Sequence, residues 1–329
     1  MMKTDFAAWS WTAGAGIDGL QLVRKSLDQP GPGEVLIANR AIALNPVDWK
    51  IIEWGHAAWK TGHVPGVDGM GVVVASGAGV PIKPGTRVAY HQSLDRDGSF
   101  AEFCILDAAT VMTVPAALDD AWAASLPCPS LTAWQALEKI PGSAGEVLVV
   151  GAGGAVGLLL AQLAVQRGLR VWATASTAHH AHLKALGVVG VFDYRDAGWQ
   201  QALQSALGER RLDAVFDTVS GAHAATLAPL LGYNGHLVCI QDRQESAPLP
   251  AFSTAISLHE VALNSFHAYA SLSDRQALRQ HGERLLDAVL NGKLRVPAQQ
   301  VFDFHELPQA LRALKQGSSS GKWVARLAD

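Results

Sequence analysis

Three glycines, Gly151, Gly154 and Gly157, form the pattern in this sequence with the clearest chemistry. They follow the apolar run at residues 147–150 and open a stretch that is typical of a helix. Glycines there permit a tight turn and let the backbone approach a pyrophosphate, while the N–H groups of the helix start attract phosphate. Strand, glycines and helix together indicate a dinucleotide-binding turn, although glycines alone would also suit a turn that needs positive φ or a methyltransferase loop. The residues assigned to cofactor contact are Gly151, Gly153, Gly154, Ala155 and Val156.

The end of the next predicted strand, residues 170–174, indicates which dinucleotide binds. In NAD-specific enzymes an Asp or Glu about 20 residues beyond the turn holds the ribose hydroxyls. This chain has no acid there but has Ser176 and Thr177, whose small hydroxyls tolerate the 2′-phosphate that a carboxylate would repel. We therefore predict NADPH rather than NADH, with Ser176 and Thr177 as phosphate partners and His179 or Lys184 as further candidates.

The cysteines suggest neither a disulfide framework nor a four-thiolate zinc site. Cys104, Cys128 and Cys239 are an odd number at wide spacing, and no CxxC pair occurs. Such usage is typical of a reducing compartment.

The histidines form no recognisable metal site either. Three of them lack the spacing of metal ligands and are assigned to surface or hydrogen-bonded loop positions: His56, His63 and His91. Three more lie at the predicted start of a helix without a carboxylate or thiol among them: His179, His180 and His182. We interpret the second group as a solvated first turn, and we expect no bound metal.

Composition restricts the class of protein. The chain has 329 residues, of which 49% are hydrophobic and 17% charged, which fits two domains with well-filled cores. The formal net charge is −3 and no block of like charges occurs, which argues against nucleic acid as the main partner. No apolar run reaches the roughly 18 residues of a membrane span, and Asp5 interrupts any signal-like start. We expect a cytoplasmic protein whose partner is a small molecule.

The two halves of the chain differ in pattern. Residues 4–120 consist of short β-branched segments separated by Pro and Gly turns, which predicts a mostly β domain built as a small barrel. From residue 121 apolar runs alternate with helical stretches, which predicts a parallel sheet covered on both faces. The last segment, with a helix near residues 274–290 and a strand at residues 321–326, is too small to stand alone. We expect it to return to the N-terminal domain.

Several ordered segments together resemble the medium-chain dehydrogenase/reductase superfamily, in its zinc-independent quinone oxidoreductase branch. They are residues 43–50 (ALNPVDWK), 64–73 (VPGVDGMGVV), 98–103 (GSFAEF) and 130–137 (SLTAWQAL), followed by the glycine turn. The resemblance covers nearly the whole chain. It implies an α/β protein with a GroES-like β-barrel catalytic domain, residues 1–123 completed by 267–329. It also implies that a Rossmann domain, a doubly wound parallel sheet that binds NADPH, is inserted into the chain of the catalytic domain at residues 124–266.

The zinc alcohol dehydrogenases of the same superfamily differ at decisive positions. They have Cys and a His-Glu pair where this chain has Asn45 and Val67-Asp68, and they carry a four-cysteine loop that this sequence lacks. Asn and Val cannot supply the thiolate or imidazole that zinc needs. We therefore expect hydride transfer, without metal, to an acceptor that is already electron-poor, a quinone or an α,β-unsaturated carbonyl.

The resemblance also implies catalytic residues. Asn45 and Asp48 lie in the segment that faces the nicotinamide in relatives, and Lys50 would lie on the same side of an extended stretch. Lys50 would stabilise the enolate that forms as hydride adds to the β-carbon. Alternatively, Lys50 covers an apolar wall or pairs with Asp48.

Further cofactor contacts follow from the same resemblance. Thr132 lies in a motif whose hydroxyl holds the cofactor in relatives. Tyr194 resembles the tyrosine that lies beside the adenosine 2′-phosphate in bacterial relatives; alternatively, it is an ordinary aromatic residue at the end of a strand. Ile240 and Phe266 are also expected to contact the cofactor. Residues 262–266 match the last Rossmann strand, which pairs across a dimer in relatives, so a homodimer is expected.

Two other functions remain open from the sequence. One is a dinucleotide-binding protein without turnover, structural or regulatory. The other is a zinc-type alcohol dehydrogenase with displaced ligands.

Overall fold

A computed structural model describes residues 5–219, 221–317 and 321–327 of the chain. The chain divides into two compact units. The discontinuous unit comprises Met1–Cys128 and Asn264–Asp329, and the inner unit comprises Pro129–Leu263. The domain limits inferred from the sequence stay a prediction.

Strands and helices follow one another as the sequence pattern indicates. The strands are β1 Asp5–Ser10, β2 Gln21–Ser26, β3 Glu34–Ala43, β4 Asp68–Ser76, β5 Arg87–His91, β6 Phe103–Asp107, β7 Met112–Thr113, β8 Glu146–Val150, β9 Arg170–Thr174, β10 Gly190–Phe192, β11 Leu212–Asp217, β12 Leu231–Cys239, β13 Ser257–Glu260, β14 Gln299–Asp303 and β15 Lys322–Arg326. The helices are α1 Pro46–Trp54, α2 Asp120–Ala124, α3 Pro127–Leu137, α4 Ala155–Gln166, α5 His180–Ala185, α6 Trp199–Leu207, α7 Ala222–Leu227, α8 Phe266–Tyr269, α9 Leu272–Leu290 and α10 Leu307–Gln316. Within the described ranges, no helix is long and apolar enough to cross a bilayer.

The discontinuous unit is built on a sheet with the strand order β14-β15-β3-β4-β5-β7, in which β6 also pairs with β3. Strand β3 is central because it is ten residues long and contacts β4 on one side and both β6 and β15 on the other. The antiparallel pairing of β15 with β3 joins the C-terminal segment to an N-terminal strand. It also brings the start of β15 to the end of β3, directly before α1.

The inner unit contains six parallel strands in the order β10-β9-β8-β11-β12-β13. Its first strand, β8, lies in the middle, and the chain builds outwards to one side and then to the other. This is the strand order of the Rossmann fold, and it confirms the predicted doubly wound α/β class. All five residues of β8 are buried, as expected for a strand covered by helices on both faces.

The predicted last strand of the parallel sheet is wrong in position. The strand that pairs with β12 is β13, whereas residues 263–265 form a 3₁₀ turn and Phe266 begins α8. Asn and Ser compete for backbone hydrogen bonds and favour turns over strands. Here the Asn264 side chain accepts the N–H of Leu94 at 3.0 Å, so this segment belongs to the discontinuous unit.

Candidate active site

The segment that carries Asn45, Asp48 and Lys50 is a helix start and not an extended stretch. Asn45 stands at the N-cap of α1 with Pro46 at the first helical position, and Asp48 Oδ2 accepts the Asn45 N–H at 2.6 Å. This reciprocal arrangement is a capping box. The premise that Asp48 and Lys50 share one side is therefore wrong, because residues two apart in a helix are rotated by about 200°.

Asp48 is buried at the base of this helix. Its second oxygen, Oδ1, accepts the N–H of Val67 at 3.1 Å, so the carboxylate ties α1 to the residue before β4. Burial and, to a smaller extent, the nearby charge of Asp68 raise the pKa of Asp48, the Asn45 and Val67 N–H groups and Lys322 lower it, and the net result is a pKa of about 7. The Asp48 carboxyl therefore takes up a proton near neutral pH.

Asn45 connects two buried charges. Lys322 Nζ donates to Asn45 Oδ1 at 2.6 Å and to the Leu44 carbonyl at 2.9 Å, and Asn45 Nδ2 donates to Asp68 Oδ2 at 2.9 Å. An ammonium can only donate, so it fixes the amide with its oxygen towards Lys322 and its nitrogen towards Asp68. The Lys322 ammonium lies 3.9 Å from Asp68 Oδ2, and Asp68 itself is fully buried. We call Asn45, Asp68 and Lys322 the buried triad.

Asp68 accepts hydrogen bonds on both oxygens. Besides Asn45, the N–H of Cys128 lies 3.0 Å from Oδ1 and 3.1 Å from Oδ2. His91 Nδ1 lies 3.3 Å from Oδ1. Asn45, Cys128 and His91 therefore hold the Asp68 side chain from three directions.

The assignment of His91 to a surface or loop position is wrong. It is the last residue of β5, is only 4% exposed, and lies directly opposite Asp68 on the neighbouring strand. The physical reason is that residues 88–90 are buried on both faces, so the strand continues inwards to the histidine. His56 and His63 do lie between α1 and β4, outside helices and strands.

His267 and Phe266 pack against His91 from α8. The His91 and His267 rings stack with centroids 5.8 Å apart, and the Phe266 ring lies 6.4 Å from His91. Burial lowers the pKa of His267 to about 3, and the charges of His91 and Arg275 act in the same direction. His267 Nε2 is buried without a hydrogen-bond partner among the described residues, so this imidazole is neutral at ordinary pH. Phe266, expected to bind the cofactor, lies in the discontinuous unit.

Lys50 lies among aromatic rings instead of among the buried triad. Its Nζ is 5.8 Å from the Trp49 ring centroid and 5.9 Å from that of Trp54. Trp54 is 70% exposed, which places this lysine near solvent. Its role in stabilising an enolate stays a prediction.

The glycine turn of the inner unit lies at the carboxyl end of β8. Gly151 has φ of +75°, and its N–H donates to the Thr174 hydroxyl at 3.1 Å. A Cβ at Gly157 would lie 2.4 Å from the Gly151 carbonyl oxygen, so the helix can approach the strand only without a side chain there. Gly154 is the N-cap of α4 and has no side chain to cap it. The N–H groups that open α4, at Ala155 and Val156, can therefore bind an anion.

The predicted 2′-phosphate partners lie where β9 and β10 end. Phe192 pairs with Thr174, so Ser176 and Tyr194 follow at the same edge of the sheet. Ser176 is half-buried, and Tyr194 is 51% exposed with the Arg195 guanidinium 5.3 Å from its ring centroid. Arg195 was not predicted from the sequence, although a basic residue at this place suits a 2′-phosphate.

The remaining predicted contacts occupy separate positions in the inner unit. Thr132 lies in α3 and is 8% exposed, and Thr177 opens the 3₁₀ turn before α5. Ile240 follows β12, where its N–H donates to the Asp217 carbonyl at 3.0 Å. The His179 ring lies over Gly153, so close that a Cβ there would be 2.7 Å from its Cδ2. Among the described residues, no group of three or more His, Cys, Asp or Glu side chains could hold a metal.

Comparisons with known proteins agree with this architecture. Residues 31–116 match the family described as alcohol dehydrogenase GroES-like domain, and residues 186–324 match zinc-binding dehydrogenase. The chloroplast envelope quinone oxidoreductase homolog of Arabidopsis thaliana is 33% identical over 238 residues, covering 69% of this chain and 72% of that protein. The structure of the quinone oxidoreductase from Coxiella burnetii superposes with a TM-score of 0.78 at 26% identity, covering 98% and 100% of the two chains.

A much larger protein also matches. The phthioceranic/hydroxyphthioceranic acid synthase of Mycobacterium bovis is 28% identical over 308 residues, which is 91% of this chain. The chain spans 14% of the length of that synthase.

Gly157→Ala is expected to disrupt the turn. Its Cβ would meet backbone atoms, the Gly151 oxygen at 2.4 Å and the Ala152 Cα at 2.8 Å, and these cannot move aside like a side-chain tip. We expect at least about tenfold weaker binding of the dinucleotide by calorimetry, since a displaced helix start loses its phosphate contacts. Gly198→Ala, at the N-cap of α6 where a Cβ would have no neighbour nearer than 3.4 Å, controls for the general loss of a glycine at a helix start. Equal affinity in Gly157→Ala and the wild type would contradict this account.

The neutral His267 is expected to weaken the protein in acid. Its folded-state pKa of about 3 lies below its ordinary 6.5, so the unfolded chain binds an extra proton as the pH falls between these values. The free energy of unfolding therefore decreases by about 1.4 kcal/mol per pH unit for this group. Urea unfolding between pH 7 and pH 4.5 gives the free energy of unfolding as a function of pH. In His267→Gln the slope of this free energy against pH should be smaller, by an amount that corresponds to about one proton. The exposed His305→Gln should keep the wild-type slope, and an unchanged slope in His267→Gln would refute the assignment.

Proposed function

Because the chain belongs to the medium-chain dehydrogenase/reductase superfamily, in its quinone oxidoreductase-like branch, we propose that it is an NADPH-dependent, zinc-independent reductase of quinones or α,β-unsaturated carbonyls. The observation that carries the proposal is the glycine turn at the middle strand of the parallel sheet. Crevices at this point of an open α/β sheet, where strand order reverses, are where dinucleotides bind. When bound, a nicotinamide supplies a hydride to its acceptor.

The residues of the turn fit such a cofactor. The close approach at Gly157 and the positive φ of Gly151 leave the N–H groups of α4 open to a pyrophosphate. Ala155 and Val156 would donate these N–H groups. The fit depends on backbone atoms, so it would survive most changes of side chain.

NADPH is favoured over NADH by the charges at the end of β9 and β10. Ser176 and Thr177 offer hydroxyls, and Arg195 adds a guanidinium beside Tyr194. Two acids lie in the same turn: Asp193 Oδ1 accepts the Arg195 N–H at 2.9 Å, and Asp196 Oδ1 accepts the Gly198 N–H at 2.9 Å. Each carboxylate thus has a backbone donor, which leaves the Ser176 and Thr177 hydroxyls and the Arg195 guanidinium to meet a 2′-phosphate.

Reduction without zinc is supported by the buried triad. The carboxylate of Asp68 already has a cation, because Lys322 lies 3.9 Å away and is itself only 4% exposed. A divalent metal at Asp68 would have to share the site with this ammonium. Without a Lewis acid, hydride transfer suits acceptors that are electron-poor by themselves, such as quinones and enones.

Cofactor preference gives the first test. The wild-type protein should bind NADPH about ten- to a hundredfold more tightly than NADH, because charge-assisted hydrogen bonds to the 2′-phosphate are made by NADPH alone. Ser176→Asp and Arg195→Ala should each reduce this ratio in calorimetry and leave the affinity for NADH nearly unchanged. Arg243→Ala, which removes an exposed arginine elsewhere in the same unit, serves as the control. Equal dissociation constants for the two cofactors in the wild type would overturn the preference.

Lys50→Met tests the acceptor chemistry. The change keeps the apolar stem and removes the charge, so it should lower kcat with a 2-alkenal by roughly ten- to a thousandfold and kcat with 1,4-benzoquinone much less. NADPH oxidation is followed at 340 nm. Lys315→Met is a matched control, because Lys315 lies over the same Trp49 ring at 5.6 Å. An unchanged enone kcat in folded Lys50→Met would reject the role of Lys50.

The same assay separates the other two functions. Tight NADPH binding without turnover of any acceptor would indicate a structural or regulatory protein. Stoichiometric zinc by elemental analysis, together with loss of activity in a chelator, would indicate a zinc-type alcohol dehydrogenase. The expected homodimer stays a prediction; β13 is the edge strand through which such a pairing would form.

A further inference from the structure

We propose that His91, oriented by Asp68, donates the proton to the α-carbon that completes reduction of an α,β-unsaturated carbonyl. This inference rests on the proposed function, and it assigns the proton donor of that reaction.

The geometry fixes which nitrogen carries the transferable proton. Asp68 Oδ1 lies 3.3 Å from His91 Nδ1. Because a carboxylate is only an acceptor, Nδ1 keeps its hydrogen on the side of Asp68. The second proton of the imidazolium is then carried by Nε2.

Asp68 is held firmly enough to orient the ring. Its two oxygens are engaged by Asn45 Nδ2 at 2.9 Å and by the Cys128 N–H at 3.0 and 3.1 Å. Asn45 is oriented in turn by Lys322. The Asp68 carboxylate therefore cannot rotate away from His91 without breaking several buried hydrogen bonds. In this scheme Asp68 is a positioning residue, and so are Asn45 and Lys322.

The neighbouring titratable groups are less suited to donate. His267, stacked on His91, has a pKa of about 3 and carries no transferable charge at neutral pH. Asp48 has a pKa of about 7, but both its oxygens accept backbone N–H groups, from Asn45 and Val67. Lys322 directs its ammonium to Leu44 and Asn45.

The step balances as follows. Hydride addition forms a C–H bond at the β-carbon, and the π electrons shift to make an enolate with negative charge on the carbonyl oxygen. The N–H bond of His91 Nε2 then breaks, its electron pair stays on the ring, and the proton forms a new bond at the α-carbon. Imidazolium becomes neutral imidazole, and water returns the proton before the next turnover. A quinone needs this proton less, because a hydroquinone anion is a stable product.

His91→Asn is the informative variant. Its amide nitrogen can still donate to Asp68 from the place of Nδ1, but nothing replaces Nε2–H. We expect kcat with 2-methylcyclohex-2-enone to fall by about a hundredfold or more, as for loss of a general acid. We expect kcat with 1,4-benzoquinone and the Kd of NADPH to remain of the same order. His305→Asn is the matched control, because His305 forms a similar pair with Asp303 at 2.9 Å but is 72% exposed.

Product stereochemistry gives a readout that a structural role would not change. In D₂O the wild type should deliver deuterium to one face of the α-carbon and yield a single configuration. His91→Asn should yield a mixture, because solvent then protonates a released enolate from both faces. Deuterium NMR measures the incorporation of deuterium at the α-carbon, and chiral chromatography measures the configuration of that carbon.

Three outcomes would decide against the proposal. A wild-type product of mixed α-configuration would overturn it without any variant, which covers the case that His91→Asn fails to fold. An unchanged enone kcat, or a retained single configuration, in folded His91→Asn would also overturn it. If the wild type reduces neither quinone nor enone, the proposed function itself fails. If the wild type reduces both acceptors and His91→Asn has the same kcat and product configuration, only the role of His91 is rejected.

Discussion

The contact between the Lys322 ammonium and Asn45 is the constraint on which the polar part of the discontinuous unit depends. One donor-only group sets the orientation of the amide, the amide sets the Asp68 carboxylate, and the carboxylate sets His91. Removing one member would leave a buried charge without its partner, which typically costs about 3–5 kcal/mol. The arrangement is thus all-or-none: its members are in place together or not at all.

The inner unit achieves rigidity by a different route. There the close contacts at the turn after β8 and the start of α4 are between backbone atoms. A turn built from backbone contacts is sufficient to bind phosphate, because phosphate is recognised by N–H groups that every residue except proline has. The reaction proposed for this protein would instead require particular side chains in the discontinuous unit, to select and protonate an acceptor.

The parts of the fold that could be predicted from the sequence are those encoded over short stretches. The glycine turn and the alternation of strands and helices are local, and the structure bears out the α/β class that they indicated. The prediction of an extended stretch at residues 45–50 is wrong although the sequence carries the signal of a helix start, since Asn-Pro-x-Asp is a capping pattern. Only an extended stretch would place Lys50 on the same side as Asp48.

The buried triad was out of reach for another reason: Lys322 and Asn45 are 277 residues apart. Two weaker signals existed. Lys322 has the same strand parity as the buried Val324, and His91 directly follows the buried run at residues 88–90. Neither signal shows which partner neutralises the buried lysine or the buried histidine. Only the pairing of β15 with β3 supplies that information.

The discontinuity of the first unit has a consequence for synthesis on the ribosome. Chain elongation is vectorial, so Asn45 and Asp68 emerge long before Lys322, and the whole of Pro129–Leu263 is made between them. The inner unit is one continuous stretch and can fold as soon as it emerges. Until β15 arrives, Asp68 lacks its cation and β3 offers an unpaired edge at residues 41–43. The nascent protein is therefore expected to hold a dinucleotide before it can hold its buried charges, and a factor that shields exposed strand edges would act during that interval.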